Sequence, residues 1–404
     1  MPLRIAGAGC CLMDILYPDV DFSSAAFAAA RSRREGDGGL SPGRLVFAED
    51  AERFTGRPLA DTLAAMAGSP TVASAVPAAE NVGGPSVVSL VHAAQMLEGE
   101  GIPVAFHGAT GDDAIGRELR EKLSRTPLDA SRLESRPGRT PSTFVLSDPN
   151  WDGGRGERCF VNDIGAAEGY LPSHLGGEFF QAEIIALGGT ALVPRLHEGL
   201  PCILAEARSR GALTIVNTVF DFRAERRDGV GPWPFGGSIV STGPGPLESY
   251  RSCDLLVMDR DEALRLSGER DLGSALAFFA GSGLGSFAVT RGGESVLAWA
   301  GEGRFSQMAL RELPVSARAG RQASRGDTTG CGDAFAGGIL AALALQMKSG
   351  AALLDLADAL SWGIAAGAFT LGFLGGTYYE ARPGEKREQV SSFRRDWLAQ
   401  VRGA

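Results

Sequence analysis

Short apolar runs alternate along the chain with stretches whose apolar positions recur every three or four residues. Residues 3–9 read as a buried strand ending in a glycine turn. The same strand character returns at 102–107, 183–187, 213–217, 254–258 and 286–290. Between these runs, residues 87–97, 113–124, 201–209 and 260–266 carry helical spacing; in the second of them Ile115, Leu119 and Leu123 fall on one face. Strands and helices in alternation predict a parallel sheet covered on both faces. The expected class is therefore α/β, with a doubly wound and mostly parallel sheet.

Two stretches break that rhythm. Residues 141–146 and 158–161 are β-prone and are separated by the turn-rich segment Asp148-Pro149-Asn150-Trp151-Asp152-Gly153-Gly154, which predicts a hairpin outside the main sheet. Residues 21–84 mix loop chemistry, dense in glycine and charge at 34–43, with short helices such as 61–67. The charged loop 223–228 reads as solvated surface, and the absence of a repeat of roughly 20 to 50 residues excludes solenoids and propellers.

Composition narrows the function class. The 404 residues are 44% hydrophobic and 22% charged, which suits a large globular core. A formal net charge of −9 at pH 7 argues against a nucleic-acid partner, which needs a basic face. Glycine, at 56 residues, is about twice as frequent as the usual ~7% and points to backbone that approaches a small ligand closely. Cys10, Cys11, Cys159, Cys202, Cys253 and Cys331 show no C-x-x-C spacing and read as reduced thiols of a cytoplasmic protein. His92, His107, His174 and His197 make no metal-binding pattern. The uncharged run 359–379 is long enough to span a membrane, but its glycines and polar residues favour a core segment, so no membrane partner is expected.

The strongest chemical signal is Gly326-Asp327-Thr328-Thr329-Gly330-Cys331-Gly332-Asp333, which leads into an uncharged helical run. A glycine turn feeding a helix N-terminus exposes unpaired amides at the positive end of the helix dipole, a ready anion site. Asp333 at that terminus could take a proton from an attacking hydroxyl, although aspartate is also a preferred helix cap. Lys122, Lys348 and Lys386 are the chain's lysines and none follows a Walker A glycine run; protein-kinase signatures are absent as well. Gly7-Ala8-Gly9 makes a poor dinucleotide fingerprint because Leu12 stands where the third glycine belongs.

The 326–333 run resembles the signature of the ribokinase-like (PfkB) carbohydrate kinase family, and the resemblance extends over essentially the whole chain, 1–404. It implies a ribokinase-like α/β kinase domain with a small β lid, built discontinuously from parts of 15–50 and 140–165. In the family the aspartate matching Asp333 is the catalytic base, and the amides matching Gly330, Cys331 and Gly332 form the anion hole. By the same resemblance Asp14, Gly83 and Gly84 match substrate-binding positions, while Thr290, Gly292, Asp327 and Thr328 match nucleotide-binding ones and Gly376 borders the adenine pocket. Gly108-Ala109-Thr110-Gly111-Asp112-Asp113 belongs to the family's N-terminal signature. Asp259 and Glu262 match an N-x-x-E motif that organises magnesium through water, with Asp259 in place of asparagine. ATP, Mg²⁺ and a monovalent cation are the implied cofactors, and a homodimer is left open. The implied activity is transfer of the γ-phosphoryl group of ATP to a primary hydroxyl of a sugar. A nucleoside is the alternative acceptor, since 14–83 and 156–167 resemble the adenosine-kinase branch. Against carrying over a substrate from the family stands Val88, where the family commonly has asparagine, because a site built for a hydroxyl discriminates by its polar partners. From another class, a non-catalytic sugar- or nucleotide-binding protein is the rival.

Overall fold

Strands that are apolar at every position hold together only where both of their faces are covered, and six of the predicted strands meet that condition side by side. The computed structural model describes residues 3–34, 36–66, 79–154, 156–219, 250–321 and 328–403. In chain order its strands are β1 (Ile5–Gly9), β2 (Leu12–Tyr17), β3 (Leu45–Phe47), β4 (Ala79–Gly83), β5 (Val104–Gly111), β6 (Asp129–Arg136) and β7 (Ser142–Asp148). They continue with β8 (Glu157–Asp163), β9 (Ile184–Gly188), β10 (Leu213–Asn217), β11 (Leu255–Asp259), β12 (Ser286–Thr290), β13 (Ser295–Ala300) and β14 (Met308–Pro314).

Nine of these form a sheet in the order β14-β13-β12-β11-β10-β9-β1-β5-β6. It is parallel from β12 to β6 and antiparallel at the β12–β13–β14 edge. Alternate residues of the central strands serve two cores. Ile5, Ile184, Ile215 and Val257 pack beneath helices Pro85–Met96, Cys331–Lys348 and Leu356–Thr370. Ala6, Ile185, Val216 and Met258 face helices Leu200–Ser209 and Leu272–Gly281 on the other side. The fold is thus the expected doubly wound α/β. The uncharged segment at 359–379 supplies most of the buried helix Leu356–Thr370, and among the described residues no helix is long and apolar enough to cross a membrane.

The smaller sheet has the order β3-β8-β7-β2-β4. Strands β7 and β8 pair antiparallel, as the hairpin reading anticipates. Strand β4 lies outside the stretches read as lid and β2 begins ahead of them, at Leu12; both join this sheet. One face is covered by the chain itself: Phe22, Phe27, Leu59, Leu63, Leu146 and Val161 share a third core with helices Ala25–Ala30 and Leu59–Met66.

The 108–113 run fixes the point where the hairpin leaves the main body. Asp113 caps helix Ala114–Ser124 and accepts from the Thr140 hydroxyl at 2.5 Å and the Thr140 amide at 2.9 Å, while Asp112 accepts from the Gly138 amide at 3.2 Å. The motif is therefore structural glue at the root of β7. The charged loop 223–228 lies outside the described residues.

The three helices on the first face are in close contact. A Cβ on Gly337 would fall 2.5 Å from the Ser89 carbonyl oxygen and 2.6 Å from the His92 Cβ, so the crossing of helices Cys331–Lys348 and Pro85–Met96 requires glycine there. The expected result for Gly337→Val is a loss of about 1–3 kcal/mol in urea unfolding, from forced separation of the two helices.

Candidate active site

In open parallel sheets ligands bind beyond the carboxyl ends of the strands, where the winding reverses. Here that place is the β1–β9 boundary, because the chain leaves β1 toward β5 on one side and returns through β9 on the other. Gly9 and Gly188 face each other across the boundary, and a Cβ on Gly9 would lie 2.0 Å from the Gly188 carbonyl oxygen. The chain then runs from β1 through Cys10 and Cys11 directly into β2 of the smaller sheet, so the two sheets meet at this cleft.

On the smaller-sheet side stands Asp14, buried on β2. Gly83 ends β4 beside it: a Cβ there would lie 2.1 Å from Asp14 Oδ2. Gly84, with φ of 101°, begins helix Pro85–Met96, and a Cβ there would meet the Cys10 carbonyl oxygen at 2.7 Å. The three residues read as substrate-binding thus share one wall. Strand register adds two that sequence reasoning missed: Thr143 on β7 lies opposite Asp14, and Asn162 on β8 lies opposite Thr143 and donates to its hydroxyl at 2.9 Å. Residues paired in register point to the same face, so the three form one polar row. Pairing partners scattered over about 150 positions leave no local signal.

Across the cleft, helix Cys331–Lys348 begins at Gly330, whose φ is 75°. Its N-cap residue, being glycine, has no side chain with which to cap the terminus. The Cys331 amide donates to the Thr328 carbonyl at 3.3 Å, and the Ala334 amide to the Gly330 carbonyl at 2.8 Å. Gly332 is exposed, and a Cβ on it would meet nothing within 4 Å, so the turn opens onto free space. Asp333 is half-buried and accepts from Asn217 Nδ2, at the end of β10, at 3.4 Å. Burial pushes its carboxyl up from 3.8 to about 6 against the opposing effect of Asn217. The N-cap position belongs to Gly330, so Asp333 lies inside the first turn of the helix, its carboxyl held at about 6. The Cys10 thiol, buried where β1 passes into β2, has its ionisation pushed well up first by burial and then by the charges of Cys11, Asp14 and Asp333.

Arg158 on β8 crosses the cleft, donating to the Thr329 hydroxyl at 2.7 Å and also to that of Thr328. The smaller sheet is thereby tied to the turn. Asp327 lies outside the described residues. Asp259 ends β11 and opens helix Arg260–Ser267 in a reciprocal cap: the Glu262 amide donates to Asp259 Oδ1 at 2.8 Å, and the Asp259 amide to Glu262 Oε2 at 2.9 Å. Thr218 donates to Glu262 Oε2 at 2.6 Å. Burial raises both carboxyls, and for Glu262 the neighbouring Asp259 charge adds to it. Two crowded oxygen ligands of this kind suit a hard divalent cation; they do not by themselves cage one, and among the described residues no three metal-ligating side chains gather. Thr290 is in register with Asp259 at the end of β12, and Gly292 lies in the following turn. Gly376 packs against Gly330: a Cβ on Gly330 would lie 2.4 Å from the Gly376 Cα. Val88 is buried beneath Gly376.

The profile of the pfkB family carbohydrate kinases matches residues 78–379. No curated protein sequence matches the chain. Among solved structures, the adenosine kinase of Anopheles gambiae in complex with P1,P4-di(adenosine-5) tetraphosphate superposes with a TM-score of 0.64 at 19% identity, over 95% of this chain and 97% of its own. The adenosine kinase of Sinorhizobium meliloti gives 0.62 at 19% identity over 100% of both chains. Thermotoga maritima ribokinase gives 0.59 at 17% identity, over 97% of this chain and 99% of its own. At such identities the likeness is one of fold.

The raised carboxyl of Asp333 fixes a pH dependence. An acid that ionises less readily folded than unfolded lends stability that is complete below about pH 4 and is lost as the pH rises through about 6. Asp333→Asn is thus expected to melt higher than the parent above pH 6, by about 1–3 kcal/mol, with the gap closing toward pH 4. Thermal unfolding without divalent cations checks this; a gap that widens on acidification contradicts it.

Proposed function

The chain belongs to the PfkB carbohydrate kinase family, and from that premise we propose that it transfers the γ-phosphoryl group of ATP to a primary hydroxyl of a sugar held against Asp14, Gly83 and Gly84. The observation that carries this reading is the half-buried Asp333 in the first turn of the helix that Gly330 begins, with Arg158 joining that turn to the smaller sheet that bears Asp14. A base is most effective when its pKa lies near the working pH. With its carboxyl at about 6, Asp333 is mostly ionised at neutral pH yet remains basic enough to accept a proton.

In this mechanism the acceptor hydroxyl hydrogen-bonds to Asp333. As its oxygen attacks phosphorus in line, the O–H bond breaks and the proton passes to the carboxylate, while the phosphorus–oxygen bond to ADP breaks. The amides at Gly330, Cys331 and Gly332, with the helix dipole behind them, balance charge developing on the phosphoryl oxygens. Arg158, already reaching the turn from β8, adds a positive charge on the opposite side and closes the smaller sheet over the acceptor, which excludes water. Mg²⁺, when bound, would neutralise the phosphates, and Asp259 and Glu262 are the groups to hold its water shell. Thr290, Gly292, Thr328 and, by sequence, Asp327 would border the nucleotide.

A nucleoside acceptor is the second reading. It is favoured by the helix-covered smaller sheet, whose own core makes a bulkier cover than a sheet alone. Schistosoma mansoni adenosine kinase, solved with adenosine and AMP, shares the fold at TM-score 0.64 and 16% identity. A non-catalytic binding protein would have no use for a carboxyl kept at such cost in this position.

ATP consumption over a panel of sugars and nucleosides tests the activity and names the acceptor. Asp333→Asn is expected to lower kcat by about 10² to 10⁴, and near-normal turnover would remove Asp333 from its role. Arg158→Ala is expected to lower kcat/KM for ATP by about tenfold or more, the loss of one charged hydrogen bond of about 1.5–3 kcal/mol; an unchanged value would confine Arg158 to its threonine contacts.

A further inference from the structure

The segment from Leu374 to Tyr378 touches both walls of the cleft. At one end Asn81, on β4 opposite Asp14, donates through Nδ2 to the carbonyls of Leu374 at 3.4 Å and Thr377 at 3.3 Å. Asn81 Oδ1 accepts from the Val82 amide at 2.9 Å, and the Thr377 hydroxyl donates to the Val82 carbonyl at 2.8 Å. The segment is thereby pinned to the residues that lead into Gly83 and Gly84. Gly375, with φ of 78°, comes so close that a Cβ would lie 2.3 Å from Asn81 Nδ2.

At its other side the segment abuts the phosphoryl-facing turn through the Gly376–Gly330 contact. Behind that contact lies His92, fully buried on helix Pro85–Met96, its Nε2 at 2.9 Å from the Gly376 carbonyl. A carbonyl can only accept, so Nε2 carries the proton. The other ring nitrogen, Nδ1, is buried and has no hydrogen-bond partner among the described residues. One turn further along, Gln95 Nε2 donates to the Tyr378 carbonyl at 2.7 Å and is itself held by the buried Lys386, whose Nζ reaches Gln95 Oε1 at 3.1 Å. Three side chains thus spend their donors on main-chain carbonyls of one short segment. An imidazole half unsatisfied in a helix interface costs stability that an apolar residue would not.

We propose that residues 374–378 form a brace that sets the turn at Gly330–Asp333 against the acceptor wall, with His92 and Asn81 as the positioning residues at its two ends. This deepens the kinase reading and rests on it for its catalytic consequence. The brace works by excluded volume: Gly376 fills the space beside Gly330, and His92 prevents it from retreating. Loosening His92 lets the anion-binding amides drift relative to Asp333, and loosening Asn81 lets Gly83–Gly84 drift relative to the acceptor.

Three variants test it, each with kinetics, thermal melting and amide hydrogen exchange. His92→Leu keeps the volume and removes the donor; His92→Gln returns a donor near the Nε2 position. The expected result for His92→Leu is a kcat lower by about 3- to 10-fold, the worth of one hydrogen bond, with acceptor KM unchanged. Exchange at the Ala334 amide, which bonds to the Gly330 carbonyl, should be faster, and His92→Gln should recover both. Asn81→Ala should instead raise acceptor KM by a similar factor while leaving ATP KM alone. Unchanged exchange at Ala334 in His92→Leu overturns the brace, as does a kinetic loss that follows melting temperature and is not recovered by His92→Gln. If His92→Leu fails to fold, the Asn81→Ala split between the two KM values decides. A wild-type chain that phosphorylates nothing on the panel sinks the kinase reading, while the exchange comparison still decides whether the brace exists.

Discussion

Main chain meets main chain around the cleft at distances that leave no room for a Cβ. Gly9 against Gly188, Gly84 against the Cys10 carbonyl, and Gly330 against Gly376 are three such contacts, and Gly83 gives the same room to a carboxylate. Each closes a different joint: the winding reversal of the large sheet, the step into the smaller sheet, and the seat of the Gly330 turn. Because backbone cannot yield as a side chain does, these contacts fix the relative positions of Asp14 and Asp333 more firmly than any hydrogen bond in the site. The glycine excess of the composition is partly the trace of this constraint.

Within that frame the chemistry depends on keeping one carboxyl group uncomfortable. Asp333 is half-buried beside the Asn217 amide group, and burial wins over that hydrogen bond. Asp259 and Glu262 lie in a similar tension, their charges crowded at another helix start. At each of the three carboxyls burial outweighs the hydrogen bonds that it accepts, which is the tension expected of groups at functional sites. Asp14, Thr143 and Asn162 form a polar row on one face of the smaller sheet, while its opposite face is sealed by an apolar core of its own.

Much of the fold was legible because its signal is local. The strands at 213–217 and 286–290 are where the apolar runs put them, and helix Ala114–Ser124 starts one residue after the capping Asp113. Strand β6 was missed because only Leu133 along it is buried, so its residues carry no apolar run. Strand β14 was missed because an edge strand tolerates exposed residues, as at Leu310; β13 is buried and apolar, and the pattern offered a signal there that went unread. Strands β2 and β4 could not be assigned to the smaller sheet, since pairing partners far apart leave no trace in either segment. For the site, the glycine run ending in Asp333 was visible because a helix start and its anion-binding turn are one continuous stretch.

The sequence by itself determined the α/β class, the glycine turn before the long apolar helix, and the residue types at Asp14, Gly83, Gly84 and Asp333, because each depends on neighbours within a few positions. Only the tertiary structure decided that Asp333 is half-buried with its carboxyl near 6, that Arg158 spans the cleft, and that His92 and Asn81 converge on residues 374–378. Those properties arise between segments 116 to 296 residues apart. Desolvation and hydrogen-bond geometry are set by what surrounds an atom in space, and a chain's order does not contain that until it has folded.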